Sequence, residues 1–518
     1  MRRTVSSGAW WLNPNAAAVA SLVPAIVAVF VCAHQLTLHG VLHGIVIGNE
    51  SQNLPSSIAL TNGAFPYSNF PLAQPPGMLV AMLPFAGLSH GITQSLAMSL
   101  ARVATAIVTV IAVYFTGFAA RFYGVPASLL AGVFAATYPF ELFSTAGVTV
   151  GPYVLMFTMV GIAFAFKEGR LVEGWRLFVA ALFIGFACTI KPWAFIPAVL
   201  LVGCALAAWN AKRSHLLPTI TGLGVGIVVP CILFLLAAPS RFWHDVVVTE
   251  LPGNGTMATG QKLATILGLG GAAGYTHAGG LATGVAVVII AVVLIVAFFG
   301  LTTSTTYDWF VTLACVGVIA VAFLPGSMSL QYGEFALPLI AVGVAVTASR
   351  MVTALATGGR RSSDLPAQLA MAAAVILVGC AAVIVAVAAP ADGSYGATYA
   401  NKHAIIDTGA VTHRIAAGKC TISNNAMMLL ASNRFYEDGA SCPVTADPEG
   451  LIAINRGHGG RAATVSQWIS WAADARYVVL VRPTGNVPLE GRLNRYLRQN
   501  FGTQVSQAGF LVAARPFA

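Results

Sequence analysis

Between Arg3 and Arg102 the chain carries one formally charged side chain, Glu50, while apolar runs long enough to cross a bilayer recur from Ala16 onward. Of the 518 residues 57% are hydrophobic and 8% charged, and the mean hydropathy is +0.79. Soluble globular proteins average about 25% charged residues. The deficit excludes a water-soluble fold and leaves an α-helical polytopic membrane protein. The first run, about 16–38, matches a hydrocarbon core of about 30 Å. It follows Arg2 and Arg3 and has no cleavable signal pattern, so the N-terminus is expected on the cytoplasmic side.

Further spans are expected near 98–120, 125–142, 149–166, 176–190, 192–210, 217–238, 282–300, 308–325, 333–349 and 367–390. Segment 76–92, which contains Pro84, Gly87 and His90, reads as partly inserted or interfacial. Arg121, Lys167, Arg170, Arg176, Lys212, Arg213, Arg350, Arg360 and Arg361 fall between runs and mark the cytoplasmic side. That assignment places loop 39–75, loop 239–281 and the tail after Pro390 outside, which requires an odd number of spans. About 11–13 are expected, 11 fitting best and 13 if a break is hidden.

The chain therefore divides into a transmembrane region, 1–390, and a polar tail, 391–518. In the tail YVVLV (477–481) and FLVAA (510–514) alternate with helical patterns near 425–432, 464–474 and 488–499. This reads as a small extracytoplasmic α/β domain. Cys32, Cys188, Cys204, Cys231, Cys315 and Cys380 lie in apolar runs as core residues. Cys420 and Cys442 lie in the tail, and an extracytoplasmic location leaves a disulfide between them open. The net charge of +10 is explained by topology and lipid head groups, not by nucleic acid. Abundant Ala, Val and Gly with little Lys suggest a GC-rich genome, such as an actinobacterial one.

The first loop holds the densest set of chemical groups. Asn49-Glu50 is followed by Gly63-Ala64-Phe65-Pro66-Tyr67, Asn69-Phe70 and Gln74-Pro75-Pro76-Gly77. Gly and Pro shape a rigid loop over the membrane surface. The loop has no basic residue, so Glu50 is expected to lack a local ion-pair partner and, if partly buried, to serve as a base. Lys191, beside Pro192 at a span junction, is costly to bury and suggests a phosphate contact. Arg102 and Arg241 are further phosphate candidates. Snorkelling explains Lys191 nearly as well, and a topology anchor explains Arg102 at least as well. Loop 239–281 offers His244, Asp245 and Glu250, and a late span opens on Tyr332 and Glu334. Trp193 and Trp243 are expected in an interfacial aromatic belt.

The order of acidic residue, Gly-x-x-Pro-Tyr, aromatic stretch and Pro-Pro-Gly resembles the first external loop of GT-C glycosyltransferases. The resemblance is to the branch containing protein O-mannosyltransferases and the lipid A aminoarabinose transferase. Gly185-Phe186-Ala187-Cys188-Thr189-Ile190-Lys191-Pro192 is similar to that branch's Thr-Lys-Pro turn. Arg241–Val248 resembles the start of its later external loop, and Gln331–Pro338 a Tyr-containing segment opening a late span. The family shows Asp-Glu or a lone Asp where this chain has Asn49-Glu50. No second acidic residue can be carried over: Ser144–Thr149 has none, and Glu141 fits poorly.

The resemblance implies an inverting transfer of a sugar, mannose or arabinofuranose, from a polyprenyl-phosphate donor to an acceptor hydroxyl. The acceptor is a glycan, glycolipid or protein on the outer face of the plasma membrane. Glu50 is the expected general base. Asn49, Tyr67, Gln74, Arg102, Lys191, His244, Glu250, Tyr332 and Glu334 are the expected substrate-binding residues. Walker, HExxH, GxSxG and zinc-spaced Cys/His patterns are missing from the sequence, and one carboxylate makes a weak hard-metal site. No cofactor is expected, with a divalent cation left open. The alternative is a transporter or flippase of lipid-linked envelope precursors. Against it, charges cluster at span ends and the halves show no symmetry.

Overall fold

The computed structural model describes residues 13–37, 41–45, 48–137, 147–208, 214–249, 262, 305–323, most of 333–345 and, in the tail, 412–436, 442–455, 460–481, 491–507 and 510–516. Expected spans 282–300 and 367–390 lie outside these residues.

Three described helices are long and apolar enough to cross a membrane: Pro14–Thr37, Gln94–Tyr123 and Leu216–Ala237. Shorter apolar helices Val125–Thr137, Gly151–Ala165, Trp175–Ile190, Phe195–Ala207 and Thr306–Phe323 pack with them. Val19, Phe30, Leu217, Leu233 and Leu236 project outward from the first and third of the long helices. Such ridges are unfavourable in water and suited to lipid. The chain is an α-helical polytopic membrane protein with a small α/β element at its end.

Helix 94–119 organises the bundle. Thr93 caps it by accepting the Leu96 amide at 3.3 Å. Thr105, Thr109 and Thr116 are buried along it, each donating to the carbonyl four residues earlier. Their hydroxyls are thereby satisfied within the helix, and their small size lets helices 22–37, 125–137 and 151–165 approach closely. Helix 151–165 in turn packs on 175–190, and 175–190 on 216–237. Helix Gly77–Leu88 has only 12 residues, about 18 Å, and does not reach across a bilayer.

The bundle has a second polar end. Arg121 stacks between the rings of Phe118 and Phe122, and Tyr123 donates to Asp308. A two-residue hairpin, β1 Phe166–Lys167 with β2 Arg170–Leu171, turns there through Glu168 and Gly169. The nineteen residue steps from Arg102 to Arg121 cover about 28 Å of near-helical rise. Arg102 and Arg121 thus mark opposite ends.

In the tail, β3 Thr421–Ser423, β4 Tyr477–Val481, β5 Thr503–Gln507 and β6 Phe510–Ala514 form one sheet of order β3-β4-β6-β5, parallel only at β3–β4. The sequence pattern revealed β4 and β6. It did not reveal β3 and β5, which are short or polar. Helix Gly460–Asp474 puts Trp468 and Trp471 against the sheet. Cys420 and Cys442 are disulfide-bonded, with Cα atoms 5.2 Å apart.

The tail does not stand apart from the bundle. Helix Ala426–Ala431, Ala-Met-Met-Leu-Leu-Ala, has no polar face and joins the core that contains Leu54, Ile58 and Met98. Trp193, expected at an interface, is also in this core at 8% exposure, whereas Trp243 is 61% exposed.

Candidate active site

Glu50 sits on a short 3-10 turn, Gly48–Gln52, and is fully buried. Contrary to the expectation of an isolated carboxylate, it is paired with Arg102, also fully buried. Arg102 Nε donates to Oε1 at 2.7 Å and Nη2 to Oε2 at 2.6 Å. The Val148 amide adds 2.8 Å to Oε1, and Asn53 Nδ2 donates to the Val148 carbonyl at 2.6 Å. Arg102 Nη1 reaches the carbonyls of Val41, Leu42 and Gly44 at 2.7, 3.1 and 2.8 Å. The loop itself has no cation, as its sequence shows; the partner comes from the next long helix, 52 residues on.

A bidentate Arg–carboxylate pair supplies both charge and orientation. It also fills lone pairs. A carboxylate oxygen has two acceptor sites. Oε1 uses both, on Arg102 and Val148, and Oε2 uses one among the described residues. Arg102 has committed its Nε hydrogen, both Nη1 hydrogens and one of two on Nη2. Most of its capacity therefore braces segment 41–50, and little is left for a phosphate.

The rest of the loop folds over this pair. Helix Leu54–Thr61 is followed by a turn in which Tyr67 adopts a left-handed backbone, φ 64°. A non-glycine residue holds that conformation only when its side chain is strongly fixed. Its phenol donates to the Gln74 carbonyl at 2.5 Å, and its ring meets Phe242 and Phe234 edge-on at 5.1 and 6.3 Å. Burial, with Asp245 and Asp447 nearby, pushes the phenol well above its ordinary pKa, so it remains a donor. Gln74 Oε1 is buried without a hydrogen-bond partner among the described residues.

Two sequence motifs meet at Gly77. A Cβ there would overlap the backbone of Thr189, so only glycine lets Pro-Pro-Gly lie against the Thr-Ile-Lys-Pro turn. Lys191 leaves helix 175–190 at that turn, 5% exposed, with Nζ 5.5 Å from the Trp193 ring centroid. Trp193 is 6.5 Å from Phe335, the neighbour of Glu334. The buried Glu334 carboxylate lies over Gly151, the first residue of helix 151–165, where a Cβ would collide with it. The positive end of that helix favours a carboxylate there.

Segment 239–249 closes another side. Arg241 Nη1 donates to the Ser68 and Tyr67 carbonyls at 3.0 and 3.5 Å. His244 Nδ1 is 3.1 Å from Asp245 Oδ1. Burial raises Asp245 from the usual carboxylate range, against the pull of His244 and Arg241. From the tail, Asp447 Oδ2 accepts the Ala73 amide at 2.9 Å while Oδ1 accepts Gly450 N at 2.8 Å, capping helix Pro448–Asn455. Gln94 exchanges two hydrogen bonds with the Phe435 backbone, 2.7 and 3.1 Å, and Asn433 Oδ1 takes the Ser95 amide at 3.0 Å.

A contiguous set of contacts thus gathers Glu50, Tyr67, Gln74, Arg102, Lys191, His244 and Glu334 at one end of the bundle. Asn49 lies on the same turn as Glu50. Glu250 and Tyr332 fall outside the described residues, as does Glu141. Asp447 was missed because Asp-Pro-Glu-Gly reads only as a helix cap, and the second oxygen's use is invisible in sequence. No group of three His, Cys, Asp or Glu suited to a metal occurs among the described residues. An open apolar groove of about 730 Å³, lined by Leu60, Phe65, Phe186, Val225, Leu233 and Phe234, reaches Tyr67 through Phe234.

The bundle with its capping tail has the fold of the GT-C membrane glycosyltransferases. The structure of ArnT from Cupriavidus metallidurans bound to undecaprenyl phosphate superposes with a TM-score of 0.55 at 14% identity, covering 95% of this chain and 97% of that one. Its apo form gives 0.56 at 13% with the same coverage. The Archaeoglobus fulgidus oligosaccharyltransferase tethered to an acceptor peptide gives 0.50 at 13%, covering 96% of this chain and 74% of that one. No protein-family model matches the sequence. No curated protein matches it either.

Proposed function

We propose that this chain is an inverting glycosyltransferase that moves a sugar, mannose or arabinofuranose, from a polyprenyl-phosphate donor to an acceptor hydroxyl. The reaction takes place at the outer face of the plasma membrane, with the N-terminus cytoplasmic and the tail extracytoplasmic. The fold supports the class: ArnT is seen with undecaprenyl phosphate and the archaeal oligosaccharyltransferase with an acceptor peptide.

The observation that carries the mechanism is Glu50, a carboxylate fixed by Arg102 and Val148 with one acceptor site of Oε2 unspent among the described residues. The acceptor hydroxyl donates to that site. As its oxygen bonds to the anomeric carbon from the face opposite the phosphate, its proton passes to Oε2. The electrons of the breaking C–O bond leave on the phosphate, which Lys191 holds. Arg102 keeps Glu50 oriented and charge-balanced in an apolar setting. The polyprenyl chain lies in the apolar groove beside Tyr67. The acceptor is a glycan, glycolipid or protein, and no cofactor takes part.

The test is transfer from a radiolabelled polyprenyl-phosphate sugar by purified wild type and Glu50→Gln. General-base catalysis contributes about 10²–10⁴-fold, and a loss of that size at unchanged protein level is expected. Intact transfer by Glu50→Gln would remove the catalytic assignment. Solute counterflow in liposomes without transfer would replace the enzyme with a transporter.

A further inference from the structure

We infer, resting on the transferase reading, that Gln52 and Ser56 are specificity-determining residues that bind hydroxyls of the transferred sugar, and that this sugar is a neutral one.

Gln52 ends the 3-10 turn that carries Glu50, and Ser56 lies in the helix Leu54–Thr61 that follows it. Both are buried, at 7% and 0% exposure. The polar groups around them are committed. Glu50 is held by Arg102 and Val148, Asn53 Nδ2 donates to the Val148 carbonyl, and Ser57 Oγ bonds the carbonyls of Asn53 and Leu79. Gln52 Oε1 and Ser56 Oγ have no hydrogen-bond partner among the described residues. A helical serine readily turns its hydroxyl back to the carbonyl four residues earlier, as Ser57 does. Ser56 does not. Burying such atoms unpaired costs free energy, and two of them beside a catalytic carboxylate call for a partner from outside the chain.

Their placement indicates which part of the donor that is. Ser56 and Leu60, four residues apart, share one face of the helix. Leu60 lines the apolar groove. From groove to carboxylate the order along the chain is Leu60, Ser56, Gln52, Glu50. A donor whose prenyl tail occupies the groove carries its head group past Ser56 and Gln52 to reach Glu50. An amide oxygen only accepts, so Gln52 Oε1 pairs with a hydroxyl and not with the phosphate. Ser56 Oγ both donates and accepts, and takes a second hydroxyl. Neither residue is charged, and the charge of Glu50 is balanced by Arg102. An ammonium brought here would lack a counter-ion, which selects a neutral sugar over an amino sugar. Helix Ala426–Ala431 packs on both the Glu50 turn and helix 54–61, so the sugar enters as that packing opens.

The test uses full-length wild type, Gln52→Leu and Ser56→Ala in nanodiscs. The donors are polyprenyl-phosphate mannose, polyprenyl-phosphate arabinofuranose and the monodeoxy analogues of the one transferred. Removing an unpaired buried polar atom relieves a cost, so both substrate-free variants should melt at or above the wild-type temperature. Each should lose about tenfold in kcat/KM, the size of one hydrogen bond. Wild type should lose the same factor with one particular monodeoxy donor. Gln52→Leu should transfer that donor and its parent equally well, which pairs the residue with the hydroxyl.

Variants that melt below wild type and transfer at the wild-type rate would make both residues structural and overturn the inference. A deoxy penalty identical in wild type and variants at every ring position would do the same. An amino-sugar donor accepted as readily as its hydroxyl counterpart would overturn the neutral-sugar assignment. Wild type with no transfer from either donor would sink the transferase reading instead. Tighter binding of polyprenyl-phosphate mannose than of bare polyprenyl phosphate, lost in Gln52→Leu, would then still support the sugar contact, and its absence from wild type would end it.

Discussion

Replacing Arg102 with methionine probes the buried pair most directly. Arg102 and Glu50 are both at 0% exposure, so the variant leaves a carboxylate inside the protein with only the Val148 amide beside it. Breaking one side of such a pair costs about 3–5 kcal/mol. The carbonyls of Val41, Leu42 and Gly44 lose their donor as well, at about 1 kcal/mol each. The total, about 7 kcal/mol, matches the whole stability margin of many domains. Arg102→Met should therefore yield little monodisperse protein.

The double variant Glu50→Gln/Arg102→Met removes the stranded charge and should recover about 3 kcal/mol of that loss. Thermal aggregation midpoints of full-length protein in one detergent should rank wild type first, the double variant second and Arg102→Met last. The order of the last two follows from charge alone, since both lose the same Arg102 bonds and keep the same Val148 bond. A double variant no more stable than Arg102→Met would refute the argument. The principal role of Arg102 would then be to bind the three carbonyls.

Three further outcomes are expected. Gly77→Ala places a methyl on the Thr189 backbone and should raise the donor KM more than it lowers kcat, measured by initial rates. Joint Cys420→Ser/Cys442→Ser opens a loop of sequence separation 22 and should remove about 3 kcal/mol from the tail, with reductant moving wild type to the same thermal midpoint. Leu233→Trp, which fills the groove, should weaken a long-chain polyprenyl-phosphate donor while leaving a short-chain analogue unaffected.

Much of the fold was legible because lipid imposes a simple rule: apolar runs become helices. The runs expected at 98–120, 149–166, 176–190 and 217–238 match described helices within a few residues at most ends. Helix 54–61 was not legible, because a short run among Ser, Asn and Pro carries no periodic signal. Helix 426–431 was visible as a helix, but its burial in the core with the first loop was not. Trp193 shows the same limit: an aromatic beside a span junction fits the interface and the core equally until packing is known.

For the site, sequence singled out Glu50 by its isolation, and the isolation proved to be one of sequence only. A loop without cations says nothing about a cation arriving from a helix 52 residues later, because ion pairing depends on distance in space. The bare stretch of chain, its apolar period and the Pro-Tyr and Pro-Pro-Gly pattern were enough to determine a polytopic membrane protein with a structured first loop. Only the tertiary structure decided that Glu50 is locked by Arg102, that Pro-Pro-Gly rests on the Thr-Ile-Lys-Pro turn, and that Asp447 of the tail takes the Ala73 amide. The reason is physical. Hydropathy acts residue by residue along the chain, whereas a buried charge or amide takes whatever partner the fold brings within 3 Å or so.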